Sequence, residues 1–115
     1  MEYEIKYKPS YSMLVVNLEP DESVTAEAGA MTYMAPNINV NTRKREKSIL
    51  GTLGLALFGG QSFFVNDYQA QNSPAEVAFV AAPVGDIDVL EGKPNQGYII
   101  ESASYIASAQ NVDLD

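Results

Sequence analysis

The chain has 115 residues, carries a net charge of −8 and contains neither cysteine nor histidine. These counts exclude disulfide bonds, cysteine nucleophiles, cysteine-ligated zinc and the Ser-His-Asp triad, and the acidic balance disfavours nucleic acid as a partner. Because the spacing brings no other catalytic grouping together, we expect no enzymatic activity, no cofactor and no bound metal ion.

Short apolar segments separated by Gly and Pro turns run through most of the chain and are typical of β-strands. In chain order, the predicted strands cover residues 3–7, 12–18, 23–28, 30–34, 38–42, 63–70, 75–82, 86–90 and 98–101. The first alternates charged and apolar residues, which predicts a half-buried strand, and the second is a continuous apolar run, which predicts burial on both faces. Gly29 interrupts the series, and we expect it to supply a positive φ or a close backbone approach. The pattern predicts an all-β fold, an antiparallel sandwich or barrel of about eight to ten short strands.

The segment between residues 43 and 60 departs from this pattern. A basic cluster is followed by an apolar stretch at residues 49–58 with nearly helical spacing. Gly51 and Gly54 would weaken a helix, so we expect a short helix or a mobile loop near residues 46–60. The candidate interaction surface comprises the cationic and large apolar side chains of this segment, which are Arg43, Lys44, Arg45, Lys47, Ile49, Leu50, Leu53, Leu57 and Phe58.

This candidate surface has several interpretations. An interfacial membrane segment typically places cationic side chains at the lipid headgroups and Leu or Phe side chains at the boundary of the acyl chains, and this segment contains both kinds. The apolar stretch could equally dock onto a neighbouring subunit or cover one end of the β core, and these two readings are favoured. The basic cluster taken alone is most simply a solvated loop.

Two carboxylates, Asp86 and Asp88, alternate on a predicted strand and are therefore expected on one face. Such a pair could bind a hard cation, but calcium requires more oxygen ligands, so a polar outer face is the better interpretation. Glu27 lies in an otherwise small, apolar strand, where it either points outward at an alternating position or is buried at a functional site, and the sequence leaves both open.

The aromatic residues could stack nucleic-acid bases, as in sheets that bind single strands. They are Tyr3, Tyr7, Tyr11, Tyr33, Tyr68, Tyr98 and Tyr105, together with Phe63 and Phe64. They are not interleaved with Arg or Lys, so packing in the core and across strands is the favoured interpretation.

Four short motifs resemble, in their order along the chain, those of the altered-inheritance-of-mitochondria type family. They are AEAGAM at residues 26–31, GQSFFVN at 60–66, PVGDI at 83–87 and YIA at 105–107. The resemblance covers most of the chain and implies an all-β fold like that of the tryptophan RNA-binding attenuation protein, with no known enzyme activity. Because the family's members usually have a second, related β-half, the resemblance implies that residues 1–115, one β domain, are the N-terminal half of such a longer protein, a natural half-length member or a half that assembles with copies of itself.

We therefore expect a non-catalytic module that self-assembles, as a trimer according to the resemblance, and acts as a scaffold or protein-interaction platform. One alternative is a peripheral membrane protein that uses residues 43–58. Another is a binder of small ligands or nucleic acid, with nucleic acid disfavoured by the charge. No apolar signal core follows the N-terminus and residues 49–60 are too short to span a bilayer, so a cytoplasmic location is expected.

Overall fold

The computed structural model describes residues 1–44, 64–81, 84–100 and 104–114. Within these residues the secondary structure consists of β-strands without an α-helix, which confirms the predicted all-β class. The strands are β1 (Glu2–Lys6), β2 (Met13–Leu18), β3 (Ser23–Glu27), β4 (Met31–Met34), β5 (Ile38–Lys44), β6 (Phe64–Ala70), β7 (Ala75–Val80) and β8 (Ala107–Ala109). The helix or mobile loop predicted near residues 46–60 lies outside the described residues.

The strands form two antiparallel four-stranded sheets. The first has the order β1-β2-β7-β4 and the second the order β5-β6-β3-β8. In the second sheet, β5 and β6 pair without interruption from Ile38 opposite Ala70 to Lys44 opposite Phe64. In the first sheet, the register of β4 against β7 shifts between Met31 and Tyr33, which marks a β-bulge.

The central core lies between the two sheets, where the inward side chains of both meet. Leu18, Val77 and Phe79 come from the first sheet, and Val24 and Tyr68 come from the second. The rings of Tyr68 and Phe79 meet edge to face with centroids 5.3 Å apart. This contact joins the two layers, and an edge-to-face pair adds to the stabilisation that burial already gives.

The strand β2 is covered on both faces, as its continuous apolar run predicts. Val16 faces the central core, while its neighbour Val15 faces outward, yet both are only 2% exposed. Val15 lies opposite Ala78, which is also buried. The outer face of the first sheet is therefore shielded at its centre, and Ile87, buried but outside the central core, lies in the segment that follows β7.

Gly29 has a φ of 96°, which confirms the predicted positive value. It lies in the tight turn between β3 and β4, where the Ala30 amide donates to the carbonyl of Glu27 at 3.1 Å. An L-amino acid with a side chain rarely adopts this conformation, so the turn depends on glycine.

The strands predicted at residues 86–90 and 98–101 are wrong over the described residues, since residues 84–100 form no strand. Local hydrogen bonds explain the first region, because the side chains of Asp86 and Asp88 accept from the amides of Ile87 and Val89, each at 2.9 Å. Asp side chains that bind the adjacent backbone compete with strand pairing.

Candidate interaction surface

Only the first two residues of the predicted interaction surface lie in the described part of the chain. Both are on β5, where Lys44 is exposed and Arg43 is half-buried. The remaining predicted residues lie outside the described residues, and they are Arg45, Lys47, Ile49, Leu50, Leu53, Leu57 and Phe58.

Arg43 forms an ion pair with Asp67 on the neighbouring strand β6. Its Nε donates to Oδ2 of Asp67 at 2.7 Å, and its Nη2 donates to Oδ1 at 3.3 Å. The hydrogen bond with Asp67 raises the pKa of Arg43, despite an opposing contribution from burial. Arg43 thus ties β5 to β6, and its guanidinium is engaged within the chain.

A polar network extends from Asp67 across the outer face of the second sheet. The hydroxyl of the buried Thr25 donates to Oδ1 of Asp67 at 2.5 Å. The hydroxyl of Tyr105 donates to the Thr25 carbonyl at 3.2 Å and lies 2.8 Å from Oγ of Ser108. Together with Arg43, these residues link β5, β6, β3 and the segment that carries β8.

The chemistry of this network is structural. Burial raises the pKa of Asp67, but hydrogen bonds from Arg43 and Thr25 and the charge of Arg43 outweigh it, so the net pKa is lowered. A carboxylate that is held ionised and already paired is a poor general base near neutral pH. We therefore assign the network to holding the second sheet together.

Sequence reasoning missed this network because its members come from separate strands. Thr25 lies opposite Asp67 in the β3–β6 pair, and Arg43 lies diagonally across the β5–β6 pair, where Asn41 is directly opposite Asp67. The available signal was a polar residue at an alternating position in each strand. Only the strand register shows that these positions share one face.

Asp86 and Asp88 do not form the paired carboxylate face that a strand would give. Asp86 accepts from the Ser12 hydroxyl at 2.8 Å and lies 3.3 Å from Nζ of Lys8. The hydrogen bond from Ser12 is the main cause of the lowered pKa of Asp86. Within residues 1–44, 64–81, 84–100 and 104–114, no group of three or more acidic side chains is placed to hold a metal ion.

These contacts fix residues 84–87 against the start of β2. The amide of Ser12 donates to the carbonyl of Gly85 at 3.0 Å, and Nζ of Lys8 donates to the carbonyl of Ile87 at 2.8 Å. Ile87 is buried, at 5% exposure. It anchors the segment that follows it.

Residues 88–100, which we call the arm, are all exposed. The hydroxyl of Tyr98 donates to the Glu91 carbonyl at 3.0 Å, and the Gln96 amide donates to the Lys93 carbonyl at 3.2 Å, so the arm turns back on itself. Its large apolar side chains are Val89, Leu90, Tyr98, Ile99 and Ile100, and that of Ile99 is fully exposed. The arm thus exposes apolar side chains to solvent near both of its ends.

The predicted packing of the tyrosines in the core is wrong for most of them, while their predicted packing across strands stays a prediction. Tyr68 is buried and Tyr105 is half-buried. The exposed ones are Tyr3, Tyr7, Tyr11, Tyr33 and Tyr98. They lie on edge strands, turns or the arm, where the described residues supply no second layer to cover a ring. Phe64 is also exposed, and Phe63 lies outside the described residues. Glu27 is exposed, so it takes the outward position and not the buried one.

Comparison with known proteins gives a single finding about relationship. No curated protein and no solved structure matches the chain. In the described residues, no helix is long and apolar enough to cross a lipid bilayer. The protein-family model described as Mitochondrial biogenesis AIM24 matches residues 3–115, which confirms the resemblance seen in the short motifs. Because this match spans nearly the whole sequence, the chain belongs to the Mitochondrial biogenesis AIM24 family.

Proposed function

We propose that this protein is a non-catalytic β-sandwich module that assembles with copies of itself and serves as a scaffold or protein-interaction platform. The observation that supports the proposal is the arm, in which thirteen consecutive residues, 88–100, are exposed together with five large apolar side chains. Soluble monomers rarely expose an apolar patch of more than a few hundred Å². A partner surface that covers the arm would remove this cost.

A second copy is the simplest partner that satisfies this requirement. Every copy carries the same arm on the same anchored root, so association of identical chains gives each arm an equivalent environment. The root supports this role, because buried Ile87 and the contact of Lys8 with its carbonyl hold the base of the arm in a fixed position. A surface that is held in place before binding loses less conformational entropy on association.

Light scattering coupled to size-exclusion chromatography tests the proposal. The monomer mass is 12.5 kDa, and we expect a discrete multiple of it that does not change over a wide range of protein concentration. Ile99→Asp should shift the protein to the monomer mass, because it places a charge in the buried interface. The trimer implied by the family resemblance stays a prediction, and the same mass measurement tests it.

A matched control separates loss of the interface from a change in net charge. Gln96→Asp introduces the same charge into the arm at an exposed polar position, so the oligomer should persist. A wild-type chain that remains at 12.5 kDa at every concentration would refute the proposal. So would an oligomer that Ile99→Asp leaves intact, because the arm would then play no part in assembly.

A further inference from the structure

We infer that the arm of one copy pairs with the free edge of β5 in a second copy and extends the second sheet by one strand. The inference rests on the proposed function, since it names the surface that receives the arm. Tyr98, Ile99 and Ile100 are β-forming residues that lack a strand partner within the described chain. A sheet edge offers such a segment backbone hydrogen bonds as well as apolar contacts.

Length and regularity distinguish β5 among the four edge strands of the described structure. The two sheets end at β1 and β4 and at β5 and β8. The strand β8 has only three residues, and β4 has four residues with a bulge between Met31 and Tyr33. Short and bulged edges resist the addition of a further strand. The strand β5 has seven residues in unbroken register and lacks this protection.

Charge distinguishes β5 from β1, which is the remaining long edge strand. The strand β5 carries Arg43, whose charge is paired with Asp67, and Lys44, and it has no acidic residue, whereas the sequence of β1, EYEIK, has two acids and one base. The arm carries Asp88 and Glu91 against the single base Lys93. The net negative charge of the arm is attracted to β5 and repelled by β1. Such charge complementarity speeds the encounter of two surfaces and selects between possible partners.

The charged groups that this pairing would use are available. In the described part of the chain, Lys44 forms no ion pair, and neither Asp88 nor Glu91 has a cationic partner. The side chain of Asp88 accepts a hydrogen bond from the amide of Val89 next to it. These three side chains can therefore form ion pairs between copies without breaking one within a copy.

The backbone of β5 has donors and acceptors that face away from β6. The Gln71 amide donates to the Asn37 carbonyl at 2.9 Å, which identifies this as a hydrogen-bonded pair. Such pairs alternate along antiparallel strands, so Val40 and Thr42 direct their N–H and C=O groups to the open edge. The side chain of Val40 is partly exposed on the inward face of β5 and offers an apolar contact to an added strand.

The arm and the β5 edge are different surfaces, so the contact is heterologous. Each copy donates its arm to one neighbour and receives the arm of another. Such an arrangement produces a closed ring when the rotation between copies closes, and a filament when it does not. A discrete mass in light scattering would therefore correspond to a ring.

Cysteine cross-linking tests which edge receives the arm. The chain contains no cysteine, so each introduced thiol is unique. A Gln96→Cys variant is mixed with an Asn39→Cys variant, treated with a short bismaleimide cross-linker and analysed by mass spectrometry. Matched mixtures use Glu4→Cys on β1 and Thr32→Cys on β4, both exposed positions. We expect the arm to form mixed cross-links with β5 and not with β1 or β4.

The outcomes separate the inference from the proposed function. Cross-linking to β1 or β4 in place of β5, with the oligomer mass unchanged, would overturn the inference and leave self-assembly intact. A monomer in every mixture would overturn both. Cross-linking to β5 alone supports both.

Removal of one edge amide gives a second readout. Val40→Pro deletes an N–H that faces the open edge, and proline is tolerated at such positions of edge strands. We expect Val40→Pro to lose the oligomer and Val40→Ala, which keeps the amide, to retain it. Circular dichroism and the melting temperature establish whether the sandwich is intact, and if it is not, cross-linking alone decides. An intact Val40→Pro variant that still assembles would contradict pairing at this edge.

Discussion

The sandwich and the arm contain similar residues in opposite environments. Val77 and Phe79 of β7 are completely buried, whereas Ile99 of the arm is completely exposed. The two ends of the arm, residues 89–90 and 98–100, carry apolar and β-forming side chains like those of β7, so intrinsic preference alone does not separate these ends from a strand. The strand β7 has neighbours on both sides, β2 and β4, while residues 88–100 pair with no strand in the described structure. The β-preference of a segment is realised only where another strand and an opposite layer are available.

The comparison predicts that a core substitution has a large effect on stability and an arm substitution has almost none. Phe79→Ala removes a ring that is fully buried and in edge-to-face contact with Tyr68. We expect the free energy of unfolding to fall by about 3–5 kcal/mol, as measured by chemical denaturation. The matched variant is Ile99→Ala, compared with wild type at dilutions below the range over which the oligomer persists, and its change should stay within about 0.5 kcal/mol. Comparable losses of unfolding free energy for the two variants would contradict this prediction.

Glycine substitutions extend the comparison between the sandwich and the arm to backbone conformation. Gly29 has a φ of 96°, and an added Cβ would meet no atom within 4 Å, so the cost of Gly29→Ala is conformational rather than steric. We expect a loss of about 1–2 kcal/mol in denaturation measurements. Gly97→Ala in the arm meets equally open space without a left-handed φ, and its effect should stay within about 0.5 kcal/mol. If both variants are neutral, the β3–β4 turn does not depend on glycine.

The network around Asp67 predicts that the stability of the sandwich depends on pH in the acid range. The pKa of Asp67 is lower in the folded chain than its ordinary value of 3.8. Its stabilisation is therefore complete above that value and disappears as pH falls through the folded pKa. We expect Asp67→Asn to cost about 1 kcal/mol at neutral pH, because the ion pair is partly exposed to solvent, and to lose less stability than wild type on acidification.

The control for this prediction is Asp88→Asn in the arm, which has no cationic partner in the described residues. It should leave the acid unfolding profile unchanged. Asp67→Asn should remove only part of the slope, since the pKa values of Glu22 and Asp86 are also lowered in the folded chain. An identical profile for wild type and Asp67→Asn, followed by fluorescence or circular dichroism, would show that the network does not contribute.

Much of the sandwich could be predicted from sequence because its strands carry their own signals. The apolar run of β2 and the break at Gly29 each reflect local chemistry, and the structure confirms both. The alternation in β1 located a strand, but the half-burial predicted from it is wrong, because Tyr3 is exposed and Ile5 and Lys6 are equally half-buried. The strand β8 could not be predicted from pattern, because Ala107, Ser108 and Ala109 are small and show no apolar alternation. Only its pairing with β3 makes it a strand.

The candidate site was predictable only in part, for a related reason. The basic cluster is contiguous in sequence, but whether a cation is free depends on partners far along the chain, and Arg43 is paired with Asp67. The two ends of the arm fall in the strands predicted at residues 86–90 and 98–101, because each end is a short run of apolar and β-forming residues, with the Gly and Pro turn at residues 92–95 between them. The sequence could not show that these residues have no neighbouring strand within the described fold.

The smallest effect that we expect concerns a single hydrogen bond inside the arm. Tyr98→Phe removes the bond from the Tyr98 hydroxyl to the Glu91 carbonyl, which joins the two ends of the arm. In the monomer, the free energy of unfolding should stay within about 0.5 kcal/mol of wild type, while amide exchange of residues 91–98 becomes faster. Tyr33→Phe, which removes a hydrogen bond to Glu76 in the sandwich, should leave exchange in the arm unchanged. A loss of more than about 1 kcal/mol for Tyr98→Phe would mean that the arm is energetically part of the sandwich.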